Sequence, residues 1–136
     1  MNYERLSTTH PIDACSGTFL LTRRRLLEKI GWFDEDYFSY GEDLEMCYRV
    51  KELGYKVMFN PDVKIIHYWG ATSGLKSTSK KIAFQDEENK NRWNLARYEA
   101  MKIFYDKHYR EQYSELFRWV VFRGIDVMNK LRKGKD

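Results

Sequence analysis

The amino-acid sequence predicts an α/β fold that ends in helices, and three patterns predict it. A short apolar run at residues 18–22 passes directly into a helical pattern at 23–30, the strand-then-helix rhythm of α/β chains. Two more β-like runs, 56–59 and 63–67, follow a second helix. From about residue 86 onward, apolar side chains recur at helical spacing.

Residues 1–12 read as a polar start. The helix at 23–30 is closed by Gly31, since glycine accepts the left-handed conformation that ends many helices. Residues 32–40 form an aromatic and acidic loop, and Gly41 leads into the second helix, where Met46, Cys47, Val50 and Leu53 share one stripe and Gly54 is the stop. Asn60-Pro61-Asp62 is a turn between the two later β-like runs. A Gly/Ser/Thr/Lys loop covers 70–80. Trp93, Ala96, Ala100, Ile103 and Phe104 mark the next helix, and a last one runs from near Glu111 to about Leu131. The chain divides accordingly into residues 1–85 and a helical extension at 86–136.

At 136 residues the chain is long enough for one core, and 43% hydrophobic against 32% charged residues is the balance of a soluble globular domain rather than a disordered one. The formal charge of +4 lies in the last stretch: residues 116–136 hold six basic and two acidic side chains, leaving the preceding body neutral. A pI near 9.0 raises nucleic acid as a partner, but no nucleic-acid motif accompanies it, so no nucleic-acid partner is expected; a basic tail on a neutral body fits a membrane surface at least as well. Cys15 and Cys47 have neither metal-site spacing nor a disulfide-rich context, which points to a reducing cytoplasm. No apolar run approaches the ~20 residues that span a bilayer, and no signal peptide is expected.

The densest chemistry is Tyr40-Gly41-Glu42-Asp43-Leu44-Glu45, with three carboxylates in the first turn of a helix. Acids there satisfy free backbone N–H groups and complement the helix dipole, and this ordinary reading stands beside a functional one. A general base must sit within hydrogen-bond reach of the hydroxyl it deprotonates, and a carboxylate at a helix start beside an aromatic loop suits that role.

Five pieces in register carry a resemblance: Asp13-Ala-Cys-Ser-Gly-Thr-Phe-Leu-Leu-Thr-Arg-Arg, Gly31-Trp-Phe-Asp-Glu-Asp-Tyr-Phe, Tyr40-Gly-Glu-Asp-Leu-Glu-Met-Cys-Tyr-Arg, Gly54-Tyr-Lys-Val, and His67. Over roughly residues 12–75 the chain resembles the C-terminal part of family 2 glycosyltransferases, most of all the bacterial rhamnosyltransferase-like members that build surface polysaccharides. The resemblance implies a partial GT-A-like fold, namely the C-terminal, acceptor-side half of a nucleotide-sugar transferase domain, followed by C-terminal helices. It implies that Asp43 is the catalytic base and that Glu42 orients the acceptor or the base. Gly17 and Thr18 would border the acceptor, with the missing side chain of Gly17 admitting the sugar to the backbone. His67 would ligate a metal or touch the donor diphosphate, although a lone histidine at a strand end is otherwise more often structural. Trp69 would stack on a sugar or fill the core. The loop at 70–74 with Lys76, Lys80 and Lys81 is either a lid over a diphosphate or a plain polar loop.

Asp34-Glu35-Asp36 spells the Asp-x-Asp of metal-nucleotide sites, but in the family that element precedes the glycine strand, whereas this triplet follows it. It matches an acceptor-side loop instead, and reads equally as a solvated turn. The divalent metal, Mg or Mn, is expected only together with a donor-binding half. Residues 1–12 are too few for a βαβ unit of roughly 30 residues, so the resemblance implies that this chain lacks that half and is inactive alone. The expected partners are a nucleoside-diphosphate sugar and a saccharide or lipid-linked acceptor. A homodimer is expected from a sheet edge left unpaired. The competing reading is a non-catalytic module for a membrane surface or a protein partner.

The last helix poses its own question. On a helical wheel Phe117, Val120, Val121, Gly124, Ile125, Val127, Met128 and Leu131 share one side, and Arg118, Asp126, Asn129, Lys130 and Lys133 the other, with Trp119 and Phe122 off the apolar side. Such a stripe either packs on the domain or lies on an anionic membrane, which would make the protein peripheral at the inner face of the cell membrane.

Overall fold

The computed structural model describes residues 7–67 and 87–133. Trp69 and the loop lysines at 76, 80 and 81 lie outside the described residues. The elements, in order, are β1 (His10–Ile12), α1 (Arg24–Ile30), α2 (Glu42–Glu52), β2 (Val57–Phe59), α3 (Glu87–His108) and α4 (Glu115–Lys133). Helices and a small sheet together give the expected α/β character. The chain forms two compact units, one of residues 1–35 with 42–68, the other of residues 36–41 with 69–136.

In the first unit, β1 and β2 pair antiparallel with His10 opposite Phe59, Pro11 opposite Met58 and Ile12 opposite Val57. β1 falls in the stretch read as a polar start. Its short length and its proline hide it, since proline is tolerated where a strand lies at an edge, and pairing with β2 is what makes it a strand. The run at 18–22 is not a strand. It leaves a turn at Gly17 and Thr18, pairs with nothing among the described residues, and exposes Phe19 and Leu21. Residues 63–67 likewise form no ladder, and Val63, Ile65 and Ile66 are exposed. Apolar composition alone made both look like strands.

The helices follow their local sequence closely. α1 ends at Gly31, which adopts φ 82° while the Gly31 and Trp32 amides both donate to the Leu27 carbonyl. α2 ends at Gly54, φ 78°, where Gly54 donates to the Lys51 carbonyl and Tyr55 to that of Val50, so two otherwise orphaned carbonyls are satisfied. Met46, Cys47 and Val50 are buried as the stripe predicts, whereas Leu53 at the helix end is exposed.

In the second unit, α3 and α4 form an antiparallel hairpin. Lys102 meets Asp126 at 2.5 Å and Asp106 meets Arg118 at 2.6 Å, so partners advance along one helix as they retreat along the other. Between those pairs the Tyr105 and Phe122 rings meet edge to face, 6.0 Å apart. Ser114 starts α4, its Oγ accepting from the Phe117 amide. The segment 36–41 belongs with these helices: Tyr37 is buried, Phe38 and Tyr40 flank the Trp93 ring at 5.6 and 6.0 Å, and Asp36 pairs with Lys107 at 2.5 Å. Gly41 has no room for a side chain, because a Cβ would stand 3.2 Å from Ala100 and 3.3 Å from the Tyr37 ring.

The face by which α4 packs is not the apolar stripe. Arg118, Phe122 and Asp126 face α3, while Phe117, Val120, Val127, Met128 and Leu131 are exposed and Ile125 alone of the stripe is buried. Two ion pairs and an aromatic contact hold the hairpin through the side that the helical wheel marks as polar.

Candidate active site

The candidate site lies in the first unit, at the start of α2. Tyr40 and Gly41 both take positive φ, 65° and 89°, immediately before the helix begins at Glu42. A tyrosine in the left-handed region is held there against its own preference, the kind of local strain that concentrates at functional sites.

The three carboxylates of this turn have three different environments. Glu45 is buried, and both its oxygens are taken by Arg49, from Nε and Nη2 at 2.6 Å each. Arg49 also donates to the Ile30 carbonyl, and at 2.8 Å to that of Trp32, so this pair fastens α2 to the end of α1. Asp43 is half-buried; its Oδ2 accepts from the Gly17 amide at 2.7 Å and its Oδ1 from the Leu44 amide at 2.8 Å. Backbone donors thus fix the carboxylate plane while each oxygen keeps a lone pair. Glu42 is half-buried, with Oε2 out of solvent and without a hydrogen-bond partner among the described residues. A buried carboxylate oxygen lacking a donor is costly unless something else supplies one.

A segment before the site is laid along α2 at matching intervals. Asp13 pairs with Lys51 at 2.7 Å, Cys15 Sγ lies 3.8 Å from Cys47 Sγ, and Gly17 bonds to Asp43. The Lys51 ammonium holds the Asp13 carboxyl below its ordinary range. Burial pushes the Cys15 thiol up to about 11, helped by the neighbouring Cys47 and by the charge of Asp43. Beside Gly17, Ser16 Oγ and Thr18 Oγ1 lie 2.9 Å apart on the exposed surface.

Of the residues singled out in the sequence, Gly17, Thr18, Glu42 and Asp43 therefore sit at one helix end. His67 is exposed and takes no part in these bonds. Among the described residues no group of three or more His, Cys, Asp or Glu side chains is placed to hold a metal ion. Asp36, one member of the Asp-x-Asp look-alike, is already paired with Lys107. Arg49 and the Asp13, Cys15 and Lys51 links were missed in the sequence. The alternation of 13, 15 and 17 against the four-residue spacing of 43, 47 and 51 is the pattern that points to them.

Residues 1–96 match the family model described as glycosyltransferase like family 2. Rhamnosyltransferase WbbL of Escherichia coli is 35% identical over 57 residues, covering 42% of this chain and 22% of that protein. The N-acetylglucosaminyl-diphospho-decaprenol L-rhamnosyltransferase of Mycobacterium tuberculosis is 33% identical over 81 residues, 59% of this chain and 26% of that one. A galactofuranosyl glycosyltransferase of Leishmania donovani is 33% identical over 64 residues, 46% of this chain and 14% of the relative. The chain thus spans about a quarter or less of the length of these relatives. No solved structure matches it. With the family model covering residues 1–96, the chain belongs to glycosyltransferase like family 2.

Proposed function

We propose that this chain is the acceptor-side, catalytic-base part of an inverting GT-A glycosyltransferase, with Asp43 as the base. The observation that carries the reading is the Asp43 carboxylate held at a helix start by the Gly17 and Leu44 amides. A base fixed by backbone donors does not have to be oriented again at the moment of reaction. Asp43 takes the proton of an acceptor hydroxyl, the hydroxyl oxygen bonds to the anomeric carbon of the donor sugar, and the bond to the leaving diphosphate breaks with one inversion. Glu42 Oε2, buried without a donor among the described residues, accepts a second hydroxyl of the acceptor and so sets its angle. Thr18 and Ser16 line the exposed approach beside Gly17.

Family membership and the names of the relatives support transfer from a nucleoside-diphosphate sugar, with a deoxyhexose as the first donor to try. The decaprenol in the name of the mycobacterial relative favours a lipid-linked saccharide as acceptor. No step is assigned to a metal, because the described residues do not assemble a ligand set.

The test is a chimera in which the matched stretch of this chain replaces its counterpart in the Escherichia coli rhamnosyltransferase. Sugar transfer by the chimera, lost on Asp43→Asn with circular dichroism unchanged, is the expected result. Transfer that survives Asp43→Asn overturns the assignment of the base. A folded chimera without transfer, even with Asp43 intact, overturns the catalytic reading in favour of a binding module.

A further inference from the structure

We infer that the outward face of α4 is a docking surface for an anionic lipid bilayer. α4 gives its other face to α3, through Arg118, Phe122 and Asp126, and leaves Leu116, Phe117, Val120, Val127, Met128 and Leu131 uncovered, from 47% exposed at Phe117 to 73% at Leu116. At 100° per residue these six fall within one arc of the helix, so they form a continuous strip rather than scattered exposed residues. An exposed apolar strip of this kind marks a surface that meets something apolar.

Charge decides what that something is. α4 has two acidic side chains, and both are committed away from the strip. Asp126 is paired with Lys102 at 2.5 Å, and Glu115 lies near Arg110 and Arg118 at 3.7 and 3.8 Å. Arg123, Lys130 and Arg132 are exposed and border the strip on its two sides. Trp119 is exposed beside them, with the Arg123 guanidinium 5.5 Å from its ring. Apolar side chains flanked by cations, with an indole at the margin and no acid, match an acyl layer beneath anionic headgroups. A second copy of the chain would bring the same cations against their own kind, which opposes self-pairing through this face. Among the described residues no helix is long and apolar enough to cross a bilayer, so α4 lies on the surface rather than through it.

The experiment is co-sedimentation of the full chain with vesicles of phosphatidylcholine alone and of phosphatidylcholine mixed with phosphatidylglycerol. Binding is expected only to the mixture, and it falls in high salt. The exposed-site double variant Val120→Glu/Leu131→Glu keeps its circular dichroism and loses at least about tenfold in vesicle affinity. Arg123→Gln/Lys130→Gln loses roughly fivefold for each charge removed, and what binding remains depends less on salt. A quench and blue shift of Trp119 emission with the mixed vesicles, absent in Trp119→Phe, locates the contact on α4. Equal binding to both vesicle types, or undiminished binding by the Val120→Glu/Leu131→Glu variant, overturns the proposal. So does a dimer, seen by light scattering without lipid, that this variant dissociates.

Discussion

The Gly17 amide donates to Oδ2 of Asp43 at 2.7 Å, and this bond is the last of three that lay residues 13, 15 and 17 along α2 at 51, 47 and 43. The intervals match for a simple reason. Two residues of stretched chain advance about 6.6 Å and four residues of helix about 6.0 Å, so alternate residues of one reach successive turns of the other. The first two links hold the segment in place, and the third thereby presents a backbone donor to the proposed base. Asp43 is oriented by the fold rather than by a neighbouring side chain.

Replacing Asp43 by Asn keeps the size of the side chain and one carbonyl acceptor while removing its ability to take a proton. In an active chimera kcat is expected to fall by about 10²–10⁴-fold, the usual worth of a general base, with KM for donor little changed. Steady-state kinetics with donor and acceptor varied separately check this.

Gly17 allows a finer test. A Cβ added there meets Asp43 Cβ at 3.5 Å and Oδ2 at 3.7 Å, ordinary contact distances, so Gly17→Ala folds and keeps its amide. The new methyl nevertheless stands beside the carboxylate oxygen where the acceptor hydroxyl is proposed to approach. KM for acceptor is expected to rise by roughly tenfold or more while the donor constant stays put, since a misplacement of about 1 Å at a reacting centre is costly. An unchanged acceptor constant would move the acceptor away from Gly17.

Glu45 and Arg49 are a matter of stability. Glu45 is 1% exposed and is held by the Arg49 fork, which also holds the Ile30 and Trp32 carbonyls. Arg49→Ala takes the bidentate guanidinium away from a buried carboxylate and is expected to cost about 3–5 kcal/mol. Arg49→Lys restores the charge but not the planar fork and recovers only part of that loss. Urea unfolding monitored by circular dichroism measures both.

Capping residues made the helices legible. Gly31, Gly54 and the α2 stripe act locally, so the ends of α1 and α2 follow from their own residues. Strands depend on distant partners. His10-Pro11-Ile12 becomes a strand only against Val57–Phe59, and residues 18–22, though apolar, have nothing among the described residues to pair with. Periodicity likewise found the stripe of α4 but not the side it turns to α3, because the ion pairs of Arg118 and Asp126 lie in another helix. At the site, the acids at 42, 43 and 45 were visible as a cluster. Their separate environments were not, since each is set by a contact outside the cluster or by the lack of one: Gly17 for Asp43, the Arg49 fork for Glu45, and no donor among the described residues for Glu42.

The α3–α4 hairpin is expected to weaken in acid. Hydrogen bonds from Arg118 hold Asp106 below its ordinary value of 3.8, and a hydrogen bond from Lys102 does the same for Asp126. Both pKa values are lower folded than unfolded, so the stabilisation is present above 3.8 and is lost as pH falls from there through the folded values. The helical melting temperature followed by circular dichroism should stay level at neutral pH and drop below about pH 4, with a smaller drop in Asp106→Asn.

The last expectation concerns Cys15, whose thiol is pushed up to about 11 first by burial, then by Cys47, and in smaller part by the negative charge of Asp43. Only the thiolate attacks an alkylating agent, so a rise from the ordinary 9.0 to about 11 leaves about a hundredfold less reactive sulfur at mildly alkaline pH. Iodoacetamide should therefore modify folded Cys15 far more slowly than the same cysteine in urea. Asp43→Asn removes one of the charges that oppose the thiolate, and alkylation should then speed up modestly without any loss of fold. This links the two residues through electrostatics alone, independent of sugar transfer. Site-resolved mass spectrometry of timed samples separates Cys15 from buried Cys47. A Cys15 rate identical in the wild type and in Asp43→Asn would mean that Asp43 does not face the thiol in solution, and the Gly17–Asp43 contact would then have to be reconsidered.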